Sequence, residues 1–227
     1  MRVNPAFLLL TLILFPLFSQ AQPAAVDLGL SVEWASCNLG ADSPEASGGY
    51  YAWAEVAPKQ EYTWDSYAWG GGTWAGLTKY NAGFRLGYLM EKEDDAAAVA
   101  LGGAWHIPTD PQWRELLNEC DWIWCSQGGV NGYKVVSRAN GNSIFLPAVG
   151  YEEDGYWERY NEMGSYWTNT LGDKGIVYRT SNWDYQIDVD ATYGAKCFKF
   201  HKYKHMDIDN VVRYRGMPVR AVHPRME

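Results

Sequence analysis

The chain has 227 residues, with 19 basic against 27 acidic side chains and a formal charge of −8. That balance repels a phosphate backbone and no basic stripe offsets it, so nucleic acid is not expected as a partner. Rings are abundant, with 12 Trp, 16 Tyr and 7 Phe; an ordinary core does not use so many, so some are expected to lie half exposed, where flat faces and polar tips suit recognition.

Residues 1–21 differ from the rest. Arg2 precedes the apolar run Phe7–Phe18, and Ser19 and Ala21 supply small residues at the −3 and −1 positions of a cleavage after Ala21. This is the pattern of a signal peptide. The run is too short to span a bilayer comfortably and Pro16 interrupts it, so the expectation is an exported protein, periplasmic, outer-surface or extracellular, with no stable membrane insertion after cleavage. The first cysteine is Cys37, so no lipid-anchored form is expected. Removing 1–21 takes away Arg2 and no acid, leaving 18 basic and 27 acidic side chains, a formal charge of −9. No Pro/Ser-rich linker divides 22–227, which is expected to form one domain. Cys37, Cys120, Cys125 and Cys197 would enter an oxidising compartment, where three disulfide pairings are open. Their spacing does not suggest zinc.

Along the chain, 26–36 (VDLGLSVEWAS) reads as a strand, 38–49 as a loop, and 50–55 as a short strand. The Gly-rich, aromatic stretch 58–80 is expected to be an irregular loop. A first helix is expected over 91–100 (EKEDDAAAVA): alanines supply propensity, and Glu91, Glu93, Asp94 and Asp95 suit the positive end of the macrodipole. Gly102-Gly103 ends it. Helix-start electrostatics account for these acids without calcium. A second helix starts at Thr109, which with Gln112 forms a capping box, and Pro111 is tolerated in the first turn. Trp113, Leu116, Leu117 and Cys120 then share one face, expected to pack on a sheet. Short strands follow at 132–137, 143–149, 165–169, 175–180, 186–190, 197–201 and 211–222, the last broken near Gly216, with turns at Asn140-Gly141, Asp154-Gly155 and Gly172-Asp173. The pattern predicts an α+β domain with two helices and many short, mostly antiparallel strands.

Several segments, in order, are similar to a known family. They are 26–37 with Asn38-Leu39-Gly40-Ala41, Tyr51-Ala52-Trp53-Ala54-Glu55, Lys79-Tyr80, Glu93-Asp94-Asp95-Ala96-Ala97, and Trp105-His106-Ile107-Pro108-Thr109 with Trp113 and Leu116. Gly129–Ser137, Asn140–Gly150, Tyr166-Trp167 and Arg215–Val222 complete the set. Together they resemble FISUMP-type bacterial major paralogous domains over most of 22–227. The resemblance implies a C-type-lectin-like fold, shared with formylglycine-generating enzymes and other sulfatase-modifying factors. It also implies N- and C-terminal strands side by side and irregular loops presenting a variable surface. His106 departs from the pattern, which places Arg before the Ile/Leu-Pro-Thr segment.

A formylglycine-generating oxidase would need a C-terminal cysteine pair, and that region offers only Cys197. Paired with His201 on one strand face, Cys197 is a nucleophile candidate without a third, orienting group. Calcium-lectin signatures are missing, and Trp183-Asp184 is only loosely similar to a Trp-Asn-Asp element. Asp188-Val189-Asp190 and Asp207-Ile208-Asp209 alternate as half-buried strands do and form no EF-hand loop. What remains is three aromatic and polar groups in expected loops: Tyr156, Trp157 and Tyr160; Trp183, Asp184 and Tyr185; and His201, Tyr203 and His205. They are expected to converge on one face and bind a protein or carbohydrate ligand by stacking and hydrogen bonding, with no catalytic residue, metal or cofactor. A copper-dependent oxidase and a self-assembling envelope component are the alternatives.

Overall fold

The computed structural model describes residues 22–73, 76–81, 88–172, 177–178, 186–187 and 194–225. The signal peptide expected at 1–21 lies outside them. The segment 26–36 is not one strand but a hairpin: β1 (Ala25–Val26) pairs antiparallel with β2 (Val32–Ala35). Gly29, at φ 72°, takes the left-handed conformation between them that a side chain would resist. Strand β3 is only Tyr50–Tyr51, and the irregular stretch that follows contains no α-helix and no long strand among its described residues.

The first helix is shorter than its composition suggests. Lys92–Asp94 forms a 3-10 turn, Asp95 breaks it, and α1 is Ala96–Leu101. The Asp95 carboxylate accepts from the backbone N–H of Ala97 and Ala98, so it caps the helix from outside instead of riding in its first turn. Helix α2 (Asp110–Glu119) starts as expected, with both halves of the Thr109/Gln112 capping box in place. Trp113, Leu116 and Cys120 are buried and Leu117 is half-buried.

Sheet follows at once. The residues are β4 (Cys120–Gln127), β5 (Val130–Ser137), β6 (Ser143–Pro147), β7 (Tyr151–Glu153), β8 (Tyr156–Glu158) and β9 (Met163–Leu171). Then come β10 (Val177–Tyr178), β11 (Gln186–Ile187), β12 (Gly194–His201), β13 (Met206–Val212), β14 (Met217–Pro218) and β15 (Val222–Pro224). Among the described residues every pair of named strands is antiparallel. β2 pairs with β15 and β3 with β14, so the beginning and end of the described chain lie side by side.

The expected α+β, C-type-lectin-like class is therefore corrected. Among the described residues strand accounts for 39% and helix for 11%, so antiparallel sheet dominates the architecture and the two short helices are minor parts of it. The physical reason is local. Asp95 and Gly102 confine α1 to six residues. The run Cys120–Trp124 takes up the cross-strand ladder with β5 directly where α2 stops, because its aromatic and β-branched residues suit a pleated surface.

The sheet β13-β12-β9 sits at the centre of the core. One face, with Tyr166, Phe198 and Phe200, packs on Trp34, Trp113 and Tyr133; the other, with Trp167, Cys197, Ala195 and Val211, packs on Trp53, Tyr80 and Met217. The Trp113 indole stacks on Phe198 at 4.6 Å. Arg220, fully buried, donates to Asn38 Oδ1, the Ala35 carbonyl and the Phe145 carbonyl, each at 2.9 Å. Its fork ties β2, the loop after it and β6 to the C-terminal segment.

Candidate functional site

The ring-bearing part is built on two hairpins. β7 and β8 are joined by Asp154-Gly155, both at positive φ (52° and 80°), the type I′ geometry that Asp-Gly favours. Tyr156 is 72% and Trp157 57% exposed, while the opposite strand faces inward. Glu153 is buried and accepts from Arg215 Nη2 at 2.6 Å and from the Tyr214 hydroxyl at 3.1 Å. The Arg215 guanidinium lies 4.3 Å from the centre of the Tyr151 ring. Glu152 exchanges backbone hydrogen bonds with Gly216, and burial pushes its carboxyl above the usual range. Trp157 meets Tyr50 edge-on at 4.5 Å. The Tyr50 hydroxyl donates to the Val149 carbonyl, which fixes the floor under Trp157.

The turn that carries Tyr160 leads to the second hairpin. Asn161 N–H donates to the Ala148 carbonyl, and Asn131 donates to both Asn161 oxygens, from N–H at 2.7 Å and from Nδ2 at 3.2 Å. The next residue, Glu162, reaches the β12–β13 hairpin: its carbonyl accepts from Lys202 N–H and its carboxylate from Lys202 Nζ, both at 3.1 Å. Lys202 holds the Glu162 carboxyl below its ordinary range, and Glu162 raises the Lys202 ammonium in return. On that hairpin Tyr203 is 77% exposed and stacks on His201 at 5.1 Å.

Backbone conformation marks the same region. Six non-glycine residues among those described have positive φ, and Asp154, Arg159, Asn161 and Lys204 are four of them. Left-handed residues cost energy that surrounding structure must overcome, so a local concentration of them points to a shape that is specified.

Beside Tyr203 lies a cleft of ≈ 260 Å³ lined by Met163, Lys199, Phe200, His201, His205, Asp207 and Asp209. Lys199 Nζ pairs with Asp209 at 3.0 Å. Burial pulls His201 below its usual pKa, with Glu162 opposing and Lys202, Arg159 and His205 adding to the shift. The imidazole is therefore neutral at neutral pH.

Of the nine residues expected from sequence, Tyr156 and Trp157 lie on the β7–β8 hairpin and Tyr160 in the turn after it, and the Glu162–Lys202 contact joins that turn to the hairpin carrying His201, Tyr203 and His205. Trp183, Asp184 and Tyr185 lie outside the described residues. Sequence reasoning missed Tyr50, Asn161, Glu162 and Lys202. No local signal marks the Glu162–Lys202 contact, because it joins positions 40 apart. Asp207 and Asp209 are on β13 as their alternation implied, and line the cleft.

The nucleophile candidate fares differently. Cys197 is fully buried, and burial pushes its thiol up to about 11, the opposite of an activated cysteine. His201, four residues along β12, is roughly 13 Å away at strand rise, beyond hydrogen-bond reach. All four cysteines are free thiols. Among the described residues no group of three or more His, Cys, Asp or Glu could hold a metal, and no helix is long and apolar enough to cross a membrane.

Compared with known proteins, the chain matches no family model, and no solved structure matches it. A stretch of 87 residues is 29% identical to Fibrinogen-like protein 1 of Mesocricetus auratus. The matched stretch is 38% of this chain and 27% of that protein, so the chain spans about a quarter of the length of this curated relative. The chain is thus similar, over part of its length, to a fibrinogen-like protein.

Proposed function

We propose that this protein is an exported, non-catalytic binding module that holds a protein or glycan against the β7–β8 and β12–β13 hairpins. One observation carries the reading: Tyr156 and Trp157 on the β7–β8 hairpin, Tyr160 in the turn after it and Tyr203 on the β12–β13 hairpin are each more than half exposed, and Glu162 in that turn holds Lys202 of the second hairpin. Exposed rings held by fixed backbone bind without ordering a loop first, which keeps the entropic cost of association low. The similarity to a fibrinogen-like protein and the resemblance to major paralogous domains fit an exported recognition role. The buried, high-pKa Cys197 gives the oxidase alternative no support.

The test is partner capture. A glycan array and a pull-down from envelope extracts would be run with the chain and with Trp157→Ala/Tyr203→Ala. A ligand retained by the parent and lost by a folded double variant supports the reading. Undiminished capture by that variant overturns it.

A further inference from the structure

The ten residues 196–205 (KCFKFHKYKH) hold four lysines, two histidines and no acid, in a chain of net charge −8. Three of the lysines are accounted for: Lys196 pairs with Asp110, Lys199 with Asp209 and Lys202 with Glu162, at 2.9, 3.0 and 3.1 Å. Lys204 is exposed and has no ion pair among the described residues. The same holds for Arg159, in the turn between β8 and β9.

Both unpaired cations stand where backbone preference alone would not put them. Arg159 is at φ 59° and Lys204 at φ 62°, left-handed positions that glycine or asparagine fills at lower cost. Backbone bonds close the two turns: Glu162 and Met163 N–H both donate to the Arg159 carbonyl, and Lys204 N–H donates to the His201 carbonyl. Neither cationic side chain takes part in those bonds. The turns also meet each other, since Lys202 N–H donates to the Glu162 carbonyl at 3.1 Å. The charges that act most strongly on His201 are Glu162, Lys202, Arg159 and His205, three basic groups against one acid that Lys202 already holds. Of the other nearby acids, Asp207 accepts from Ile208 N–H at 2.7 Å and Glu158 is half-buried on β8.

Each free cation also adjoins an exposed ring. Arg159 precedes Tyr160, 51% exposed, and Lys204 follows Tyr203, 77% exposed. A guanidinium or ammonium gives charge-assisted hydrogen bonds to a carboxylate or sulfate, and the neighbouring ring offers apolar surface to the C–H groups of a sugar. An acidic peptide fits less well. The strand beside this turn is β13, an outer strand of its sheet among the described residues, and a peptide added there would run along Asp207 and Asp209. We infer that the β12–β13 turn and Arg159 bind an acidic saccharide, its carboxylate or sulfate held by Arg159 and Lys204 and its sugar ring lying against Tyr160 or Tyr203. The inference rests on the ring-bearing face being a recognition surface, and names the charge class of its ligand.

Titration of the full chain tests it, with tetragalacturonate as the carboxylate probe, a carrageenan tetrasaccharide as the sulfate probe, maltotetraose as the neutral match and hexaglutamate as the acidic peptide. At least one acidic sugar should bind about tenfold or more tighter than maltotetraose and weaken as salt is raised; which of the two binds names the acid. Arg159→Asn/Lys204→Asn removes both charges with a residue that suits left-handed backbone. Its unfolding midpoint should match the parent's while acidic-sugar affinity falls about tenfold or more, and Arg159→Lys/Lys204→Arg, which keeps the charges, should bind as the parent does. Acidic sugars that bind no tighter than maltotetraose, hexaglutamate that binds as tightly as either of them, or affinity undiminished in the asparagine double variant would each overturn the inference. The recognition reading fails by a separate result, capture from envelope extracts that survives Trp157→Ala/Tyr203→Ala.

Discussion

Trp53, Trp113 and Trp167 differ from Trp157 in what surrounds them. The first three are sealed, at 1% exposure or less, and each indole N–H donates to a backbone carbonyl: Trp53 to Thr168 at 2.9 Å, Trp113 to Trp167 at 3.3 Å and Trp167 to Tyr51 at 2.6 Å. These bonds cross long sequence separations, so the rings both fill the core and fasten β3 and α2 to β9. Trp157 is more than half exposed and meets the buried Tyr50 edge-to-face. The same residue type thus serves the scaffold at one place and the surface at another. The amphipathic ring makes this possible, because a buried indole needs a hydrogen-bond acceptor while an exposed one can offer its face.

The largest break in that contrast should come from a sealed ring. Trp167→Ala is expected to cost about 3–5 kcal/mol by lost transfer energy and cavity formation, measured by urea unfolding, and a loss below about 1 kcal/mol would contradict its scaffold role. Next is the buried pair under the β7–β8 hairpin. Glu153→Gln leaves Arg215 charged and uncompensated and should cost about 3–5 kcal/mol, whereas Glu153→Leu with Arg215→Met should recover most of it. Equal stability of the single and double variants would show that the pair does not hold the hairpin. Thr109→Ala, which removes half of the α2 capping box, should cost about 1 kcal/mol.

A smaller effect separates the two hairpins' surroundings by pH. His201 has a folded pKa below its ordinary 6.5, so the unfolded chain binds more protons just below that value. The contribution is fully present above about pH 6.5 and is lost as pH falls through the folded pKa. His201→Asn should flatten stability against pH in that window, and an unchanged slope would remove the assignment. Smallest of all, Tyr203→Ala should alter stability by no more than about 0.5 kcal/mol, since the ring is mostly in solvent.

How much of this was legible in the sequence varies with the range of the interaction involved. The α2 start was readable because Thr109 and Gln112 are three residues apart and satisfy each other. The exposed rings at Tyr156, Trp157, Tyr160 and Tyr203 were readable because they flank turn residues. Helix α1 was overextended because the acids before it looked like a first turn, when Asp95 acts as the cap. Strand β4 was missed because it follows α2 without a turn; the signal lay downstream, in Gly128-Gly129, both at positive φ, which close the β4–β5 hairpin. The fully buried Arg213, Arg215 and Arg220 gave no sign, since composition places arginine at the surface. Nor could one segment reveal the Glu162–Lys202 link, which exists only once two distant turns meet.

The most direct test is to measure stability and partner capture together for Trp157→Ala/Tyr203→Ala. The two-region account predicts an unfolding midpoint close to that of the parent with capture abolished. A double variant that unfolds as early as Trp167→Ala, or one that still retains the ligand, would show that these rings belong to the scaffold after all.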